Sequence, residues 1–322
     1  RIDYVCDNNS EKWGQSFYGK KCIPPNELIN LQNVFVIIVL GDSRGVTKQL
    51  RNMNVDSIHI SEMHFSNYEK GKDCSWLKNA LPQIEKVLKL LQDDRSRYYF
   101  TSVFCNKIYL SATKNPYGNF CETGEYFENG FWHLHEKEYF VDGGAYVGDT
   151  VMDFIKHTSG GYFEKIYSFE YERGNYDILC ENLNCLPKEV KEKIEPYCCG
   201  IWNKREEGWC EYFGESDGTQ LIETEQRGIN AQQCLLDKLD NVLENKRVTT
   251  LKLDIEGAEI QGLLGAEKIL SLQKPKLAIC LYHRPEDMWE IPLLINRINP
   301  DYKMVIRHHG CQNYTDTLLY AK

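Results

Sequence analysis

A glycine-rich turn is the sharpest chemical feature of the sequence. Residues 140–150 read FVDGGAYVGDT, so Gly143 and Gly144 directly follow an apolar run, and Gly148 comes shortly after them. Glycines between a strand and a helix let a ligand approach the backbone closely. The N–H groups at the start of the following helix favour an anionic group. We therefore predict that this turn binds the anionic end of a small ligand, and an amino-acid carboxylate fits that description.

Two acidic residues end neighbouring apolar runs. Asp142 stands at the tip of the first run, where its carboxylate can accept hydrogen bonds from an ammonium group; the alternative is a turn or helix-capping aspartate. Glu170 ends the next run and offers the acceptor that ribose hydroxyls need. Together with the glycines, Glu170 favours a nucleoside ligand without identifying it. The glycine spacing departs from the G-x-G-x-x-G pattern of dinucleotide-binding proteins, which disfavours NAD.

These runs belong to a regular alternation of strands and helices in the C-terminal half. Apolar runs typical of strands recur along it, separated in several places by segments with the period of amphipathic helices. The alternation predicts an α/β sheet. The predicted strands cover residues 139–141, 165–169, 194–198, 249–253, 276–281, 302–307 and 317–320.

The first sixty residues also show an α/β pattern. Strands are predicted at residues 2–6, 34–40 and 58–60, and a helix is predicted at residues 44–53. The run at residues 34–40 is apolar without alternation. Such a run is typical of a parallel strand that is covered on both faces and lies centrally in a sheet.

A helical connector is predicted between the two α/β regions. Ile84, Val87, Leu88 and Leu91 recur at helical spacing and mark one face of an amphipathic helix. We therefore divide the chain into a partial Rossmann-like module, a helical connector and a functional domain. Their predicted ranges are residues 1–72, 73–136 and 137–322.

The C-terminal half resembles the FkbM family of methyltransferases. The resemblance rests on the turn at residues 140–150, on Phe169 and Glu170 followed by Asn175, and on residues 251–259, which read LKLDIEGAE. Further matches lie at residues 282–292, 307–309 and 319–321. The family's own turn often has valine or isoleucine where this chain has glycine 143.

That resemblance implies a class I methyltransferase fold, which is a Rossmann-like α/β sheet of seven strands whose last two strands pair antiparallel. It also implies S-adenosylmethionine as the methyl donor and, usually, O-methylation. The front of the chain resembles the second half of a Rossmann-like module whose nucleotide loop would lie upstream of Arg1. The cofactor-binding residues implied by the match are Asp142, Gly143, Gly144, Ala145, Gly148, Thr150, Glu170 and Asn175.

Methyl transfer to a hydroxyl needs a group that accepts the hydroxyl proton, and a positioned base contributes about 10²–10⁴-fold to the rate. Asp254 and Glu256, after one predicted strand, and His283, after the next, are the predicted catalytic residues. Each has a structural alternative: a helix cap for Asp254, a first-turn acid for Glu256 and a hydrogen-bonded core histidine for His283. Lys252 is predicted to share a face with Asp254 and to pair with a carboxylate in the sheet's core.

Two acids and a histidine also resemble a divalent-metal site, but the prediction includes no metal. Two histidine pairs are further ligand candidates, although surface or supporting positions are more typical of such pairs. These are His133 with His135, and His308 with His309.

Composition limits the substrates and the location. A formal charge of −9 disfavours nucleic acid as a partner. No apolar run approaches the ~20 residues that span a bilayer, and no signal-peptide pattern opens the sequence, so we expect a cytoplasmic protein without a membrane partner. The 13 cysteines contain no C-x-x-C pair and are expected to be reduced and mostly buried. The expected partner is a small-molecule or glycan acceptor, and an exposed sheet edge would allow a homo-oligomer.

Two other functions stay open from the sequence. A dinucleotide-dependent oxidoreductase is suggested by the two α/β regions and by Glu170, and it predicts NAD(P)H binding. A non-catalytic module that keeps a nucleoside pocket predicts cofactor binding without turnover.

Overall fold

The structure of the protein is a computed structural model. Two small sheets form its N-terminal part. The structure describes residues 2–17, 19–38, 44–59, 75–108, 122, 124–127, 130–158, 162–212, 219–222, 231–310 and 316–322. β3 lies between β1 and β2 in one front sheet, and β4 pairs with β5 in the other. The front elements are β1 (Val5–Cys6), β2 (Ser16–Phe17), β3 (Lys20–Ile23), β4 (Phe35–Ile38), α1 (Arg44–Asn52) and β5 (Asp56–His59), with 3₁₀ helices at Ser10–Lys12 and Pro25–Asn30.

The strand predicted at residues 34–40 forms over Phe35–Ile38 and is not central among the described residues, which do not include residues 39 and 40. Among the described residues, β4 pairs in parallel with β5 alone. Phe35 and Ile37 are 54% and 48% exposed, whereas Ile38 lies in one apolar cluster with Leu50 of α1. Within the described residues this sheet has two strands, and the exposed side chains of Phe35 and Ile37 leave one face open, so the prediction that both faces are covered is wrong. A continuous apolar run does not reveal how many layers surround it.

The connector forms two helices, α2 (Ser75–Leu90) and α3 (Asp94–Ile108). Ile84, Val87 and Leu91 are buried in the core beside the main sheet, and Leu88 packs against that core, which confirms the predicted helix face. The connector therefore packs against the main sheet that follows it. The three-part division of the chain stays a prediction. Within the described ranges, no helix combines the length and the apolar character needed to cross a membrane.

The rest of the chain builds the main sheet and a smaller one inserted into it. The main strands are β6 (Tyr139–Gly143), β7 (Lys165–Glu170) and β8 (Ile194–Cys198), then β13 (Thr250–Leu253), β14 (Lys276–Cys280), β15 (Met304–His308) and β16 (Thr317–Ala321). The inserted sheet consists of β9 (Gly200–Ile201), β10 (Glu206–Tyr212), β11 (Thr219–Ile222) and β12 (Gln232–Asp237). The helices are α4 (Asp149–His157), α5 (Arg173–Asn184), α6 (Lys188–Lys191), α7 (Leu239–Val242), α8 (Glu259–Leu264) and α9 (Asp287–Ile298), with a π turn at Ile269–Gln273.

The main sheet has seven strands in the order β15-β16-β14-β13-β6-β7-β8. β6 is parallel to β7 and β13, and β13 is parallel to β14. β16 runs antiparallel to both β14 and β15. The predicted seven-stranded sheet with an antiparallel last pair is therefore confirmed, whereas the inserted sheet was not predicted.

The register of the sheet brings two charged residues together. Asp142 of β6 lies opposite Lys252 of β13. Side chains alternate between the two faces of a sheet, so Val141 enters one apolar core and Phe140 enters the other. Asp142 and Lys252 therefore share the face of Phe140, close to the carboxyl edge where ligands bind in such sheets.

Candidate active site

The glycine turn after β6 passes directly over the end of β13. The N–H groups of Gly144 and Ala145 donate to the carbonyl oxygen of Phe169, at 3.1 and 2.9 Å, and tie the turn to β7. Gly144 has a φ of +77°, and a Cβ atom there would overlap the carbonyl oxygen of Asp254. Contact between two segments of the protein therefore requires glycine at this position.

Packing also explains the other small residues of the turn. A Cβ atom at Gly143 would lie 2.7 Å from two apolar side chains, so a valine or isoleucine does not fit here without rearrangement. Gly148, with a φ of +93°, directly precedes α4. Ala145 has no exposed surface, and Thr150 is 7% exposed. Close approach of a ligand is not needed to account for these residue types, and their contact with a cofactor stays a prediction.

A buried ion pair supports the turn from below. Nζ of Lys252 lies 3.1 Å from Oδ1 of Asp142 and donates to the carbonyl oxygen of Gly144 at 2.7 Å. Burial raises the pKa of Asp142 to about 6 against the attraction of Lys252. The carboxylates of Asp142 and Asp254 outweigh burial and raise the pKa of Lys252. The predicted ion pair of Lys252 is confirmed, and Asp142, which has no exposed surface, faces this lysine instead of a ligand surface.

Glu170 closes the turn from the side of β7. Its Oε2 accepts a hydrogen bond from the N–H of Tyr146 at 2.9 Å, and its Oε1 accepts one from the N–H of Glu172 at 2.8 Å. Burial raises the pKa of Glu170 to about 7, although both backbone N–H groups oppose that rise. Asn175 lies nearby in the first turn of α5, where its N–H donates to the capping side chain of Glu172.

An acid–histidine cluster, formed by Asp254, Glu256, Glu259 and His283, lies beside the turn. Nε2 of His283 is 3.3 Å from Oδ1 of Asp254 and 3.5 Å from Oε2 of Glu256, and Nδ1 is 2.9 Å from Oε1 of Glu259. The three predicted catalytic residues meet because β13 and β14 are adjacent parallel strands. The side chains of Asp254 and Glu256 are 22% and 38% exposed, whereas those of His283 and Glu259 are 5% and 0% exposed, so the two predicted acids form the open side.

The structure excludes the structural alternatives for the two acids. α8 begins at Glu259, so Glu256 is not in its first turn, and the residue at the helix N-cap is Ala258 instead of Asp254. Glu256 has a φ of +56°, a conformation that costs energy in residues with a Cβ atom and clusters at functional sites. This strained loop holds Glu256 out of the helix and next to His283.

Two tyrosines hold the carboxylate of Asp254. The hydroxyl of Tyr282 donates to Oδ1 at 2.8 Å, and the hydroxyl of Tyr126 donates to Oδ2 at 2.9 Å. Although burial opposes ionisation, Lys252, His283 and the two hydroxyls outweigh it and lower the pKa of Asp254. Sequence reasoning did not select either tyrosine. Tyr282 lay inside a segment that matched the family, but Tyr126, 128 residues before Asp254, carried no signal.

The surroundings give the three predicted catalytic residues different pKa values and therefore different roles in proton transfer. Burial opposes a charge on His283, but Glu259, Asp254 and Glu256 outweigh it and raise its pKa to about 10. His283 is therefore an imidazolium near neutral pH. Burial raises the pKa of Glu256, which His283 only partly offsets. Glu256, partly exposed and more basic than Asp254, is the best proton acceptor of the three.

A comparison of the sequence with protein-family profiles identifies the family of this chain. A sequence profile described as the methyltransferase FkbM domain matches residues 142–310, more than half of the chain. No curated protein gives a significant sequence match.

Solved structures with the same architecture include an FkbM methyltransferase from Methylobacillus flagellatus. It aligns with a TM-score of 0.78 at 22% identity, over 99% of this chain and 83% of that chain, and establishes the fold. An rRNA methylase from Streptococcus thermophilus aligns with a TM-score of 0.36 at 17% identity, over 58% of this chain and 87% of that chain. Aeropyrum pernix fibrillarin with bound S-adenosyl-L-methionine aligns with a TM-score of 0.36 at 12% identity, over 60% and 70% of the two chains.

Proposed function

The chain belongs to the FkbM methyltransferase family, and we propose that it transfers the methyl group of S-adenosylmethionine to a hydroxyl oxygen of a sugar or small metabolite. One observation carries this proposal: Gly144, in the turn assigned to the cofactor, packs against the backbone of Asp254 in the acid–histidine cluster. A methyl donor at the turn and a hydroxyl at the cluster would therefore be neighbours. In-line transfer requires that proximity.

The groups around the turn suit S-adenosylmethionine. A carboxylate offers about four acceptor positions, so Glu170 can bind ribose hydroxyls in addition to its two backbone N–H groups. The N-terminus of α4 favours the amino-acid carboxylate. When bound, S-adenosylmethionine supplies an electrophilic methyl group on a positively charged sulfur, and the ionised acids of the cluster favour that charge. The remaining proposed contacts are Gly143, Gly144, Ala145, Gly148, Thr150 and Asn175, with Asp142 supporting the turn from below.

The cluster would then prepare the acceptor oxygen. Glu256 takes the hydroxyl proton as the new oxygen–carbon bond forms, because its pKa is raised and its side chain is partly exposed. Asp254, fixed by Tyr126 and Tyr282, orients the hydroxyl. His283, charged and wedged between the acids, holds both carboxylates in place.

Acidic surroundings favour an uncharged acceptor. The side chains of Asp254 and Glu256 are 22% and 38% exposed, and the lowered pKa of Asp254 keeps its carboxylate ionised. That negative charge would repel the phosphates of a nucleic acid and tolerate a neutral polyhydroxylated molecule. A cytoplasmic location and a homo-oligomer stay predictions.

Calorimetric titration with S-adenosylmethionine tests the assignment. We expect saturable binding by the unsubstituted chain, loss of binding in Glu170→Ala, and unchanged binding in Glu189→Ala, which removes an exposed glutamate of α6. Turnover is then sought by following S-adenosylhomocysteine formation with a panel of sugars and hydroxylated metabolites. A folded chain that binds NADH instead of S-adenosylmethionine would refute the proposal, and binding without turnover on any acceptor would favour a non-catalytic module.

We also expect the affinity for S-adenosylmethionine to rise with pH. Only the ionised carboxylate of Glu170 serves as a full acceptor for ribose hydroxyls, and its pKa of about 7 means that it is mostly protonated at pH 6 and mostly ionised at pH 8. The association constant should therefore increase about tenfold over this range. Glu170→Gln should flatten the Glu170-dependent part of that slope; an identical slope in this variant would show that another group is responsible.

A further inference from the structure

We propose that Tyr320 and His309 are positioning residues for the candidate active site. Together they fix the backbone of Tyr126, whose hydroxyl donates to Oδ2 of Asp254 at 2.9 Å. They therefore act on Asp254 through Tyr126. The hydrogen bonds belong to the fold of this chain, whereas their effect on catalysis rests on the proposed methyltransferase function.

The register of the main sheet places Tyr320 close to the buried ion pair. Lys252 of β13 lies opposite Ala278 of β14, and Ala278 lies opposite Tyr320 of β16. Lys252 and Tyr320 therefore stand in one row across the sheet, and Tyr320 has no exposed surface. Tyr126 belongs to the same apolar cluster as Ala278 and Tyr320, and its ring centroid lies 5.4 Å from Nζ of Lys252. Tyr126 therefore packs over this row of the sheet.

A chain of hydrogen bonds runs from Tyr126 to the end of β15. The N–H of Tyr126 donates to the hydroxyl oxygen of Tyr320 at 3.0 Å. That hydroxyl lies 2.8 Å from Nε2 of His309, and Nδ1 of His309 lies 3.1 Å from the carbonyl oxygen of Glu122. A carbonyl oxygen only accepts, so Nδ1 carries the ring proton and Nε2 accepts the hydroxyl proton of Tyr320. Each donor of the chain therefore faces an acceptor.

Burial keeps this chain of hydrogen bonds in one protonation state near neutral pH. Burial and the charge of Arg307 lower the pKa of His309 to about 4, although the carbonyl group of Glu122 opposes that fall. The imidazole is therefore neutral and able to accept. Burial also raises the pKa of Tyr320 well above its usual value, so its hydroxyl keeps the proton that it donates. The direction of each hydrogen bond is thereby fixed.

Tyr126 needs this support because its backbone is strained. Its φ is +63°, a left-handed conformation that is uncommon for residues with a Cβ atom and persists only where surrounding contacts impose it. On one side the hydroxyl of Tyr320 holds the N–H of Tyr126, and on the other Phe127 packs against Phe140 in the core. Without the contact to Tyr320, we expect the backbone to relax and to carry the phenol away from Asp254.

The consequence for catalysis is the placement of an ionised acid. Tyr126 and Tyr282 donate to different oxygens of Asp254, and both hydroxyls lower its pKa. When the hydroxyl of Tyr126 moves, Oδ2 loses this donor, and the carboxylate orients the acceptor hydroxyl less well. A displacement of about 1 Å in a reacting group can lower a rate about 10²-fold. The expected effect is therefore on kcat and not on the affinity for S-adenosylmethionine.

Fluorine NMR tests the hydrogen-bond chain without requiring turnover. 3-Fluorotyrosine is placed at position 126 alone in the full chain, and its ¹⁹F resonance is recorded with and without Tyr320→Phe, which keeps the ring that packs against Trp132. We expect the resonance to move by more than its linewidth in Tyr320→Phe and in His309→Leu. His309→Gln should move it less, because the amide oxygen can accept from Tyr320. Tyr162→Phe, which removes the hydroxyl of an exposed tyrosine, should leave it unchanged.

Turnover then tests whether this chain of hydrogen bonds serves catalysis. With an acceptor that supports activity of the unsubstituted chain, Tyr320→Phe should lower kcat at least about tenfold with little change in KM for S-adenosylmethionine. The same substitution in a Tyr126→Phe background should lower kcat less than about twofold further. A residue that acts through the hydroxyl of Tyr126 has nothing left to position once that hydroxyl is gone.

Two results would overturn the inference: an unmoved ¹⁹F resonance in folded Tyr320→Phe, or an equal loss of kcat from Tyr320→Phe in both backgrounds. Thermal melting checks that each variant folds, and His309→Leu takes the place of Tyr320→Phe if that variant does not. A moved resonance without turnover on any acceptor would contradict the methyltransferase proposal alone, because the hydrogen-bond chain would then stand without the reaction.

Discussion

Gly144→Ala is expected to lower the free energy of unfolding by more than about 4 kcal/mol and to abolish cofactor binding. The left-handed backbone at φ +77° alone costs a residue with a Cβ about 1–2 kcal/mol. The added methyl group would also overlap the carbonyl oxygen of Asp254. A carbonyl group in the backbone cannot rotate away, so the turn or the end of β13 must move, and both carry proposed site residues.

Gly148→Ala is the matched control for this prediction. Gly148 also has a left-handed φ, +93°, but a Cβ there would lie 2.9 Å from Cδ1 of Leu179, the end of a flexible side chain. We expect a loss of about 1–2 kcal/mol, because only the backbone conformation resists the change. Urea unfolding followed by circular dichroism measures both variants. Equal losses in the free energy of unfolding would show that the close contact with the carbonyl oxygen of Asp254 is not the reason for glycine at position 144.

Local patterns predicted the main sheet well because the sequence pattern that indicates each strand lies within the residues of that strand. β8 occupies Ile194–Cys198, the predicted range, and α8 begins one residue after its predicted start at residue 258. Alternation of buried and polar residues, and the end of each run, are properties of a short segment. They do not depend on which strand becomes the neighbour.

Features that depend on which segments pack against a strand or a side chain could not be predicted from local sequence patterns. The apolar run at residues 34–40 looks the same in a central strand as in the two-stranded sheet where Phe35 is half exposed. Tyr126 reaches Asp254 only because the chain returns after 128 residues. Both outcomes are set by tertiary packing, which leaves no mark on the local sequence.

The candidate site also combines features that the local sequence predicts with features that tertiary packing sets. Asp254, Glu256 and His283 were selected because acids and histidines at strand ends gather at one edge of a parallel sheet, and the structure brings them together. Their proton affinities were not readable from the sequence. The pKa of His283 rises to about 10 because Glu259 and two further acids surround it, which turns a favoured base into a cation.

Glu256→Gln is expected to lower kcat by about 10²–10⁴-fold with little change in the affinity for S-adenosylmethionine. Glutamine keeps the size of the side chain but cannot take a proton, and neither neighbour replaces it: His283 is already protonated, and the pKa of Asp254 is lowered. Turnover is measured with an acceptor that supports activity of the unsubstituted chain, at saturating cofactor. Saturation separates a lost base from weakened cofactor binding.

Glu244→Gln provides the matched control. This exposed glutamate lies between α7 and the amino end of β13, whereas the candidate site lies at the carboxyl end of β13. Its kcat should equal that of the unsubstituted chain, and Glu256→Asp should keep more activity than Glu256→Gln because it keeps a carboxylate. If Glu256→Gln turns over as fast as the control, the acceptor proton leaves by another route. The strained loop that presents Glu256 at φ +56° would then serve the acceptor's position instead of its deprotonation.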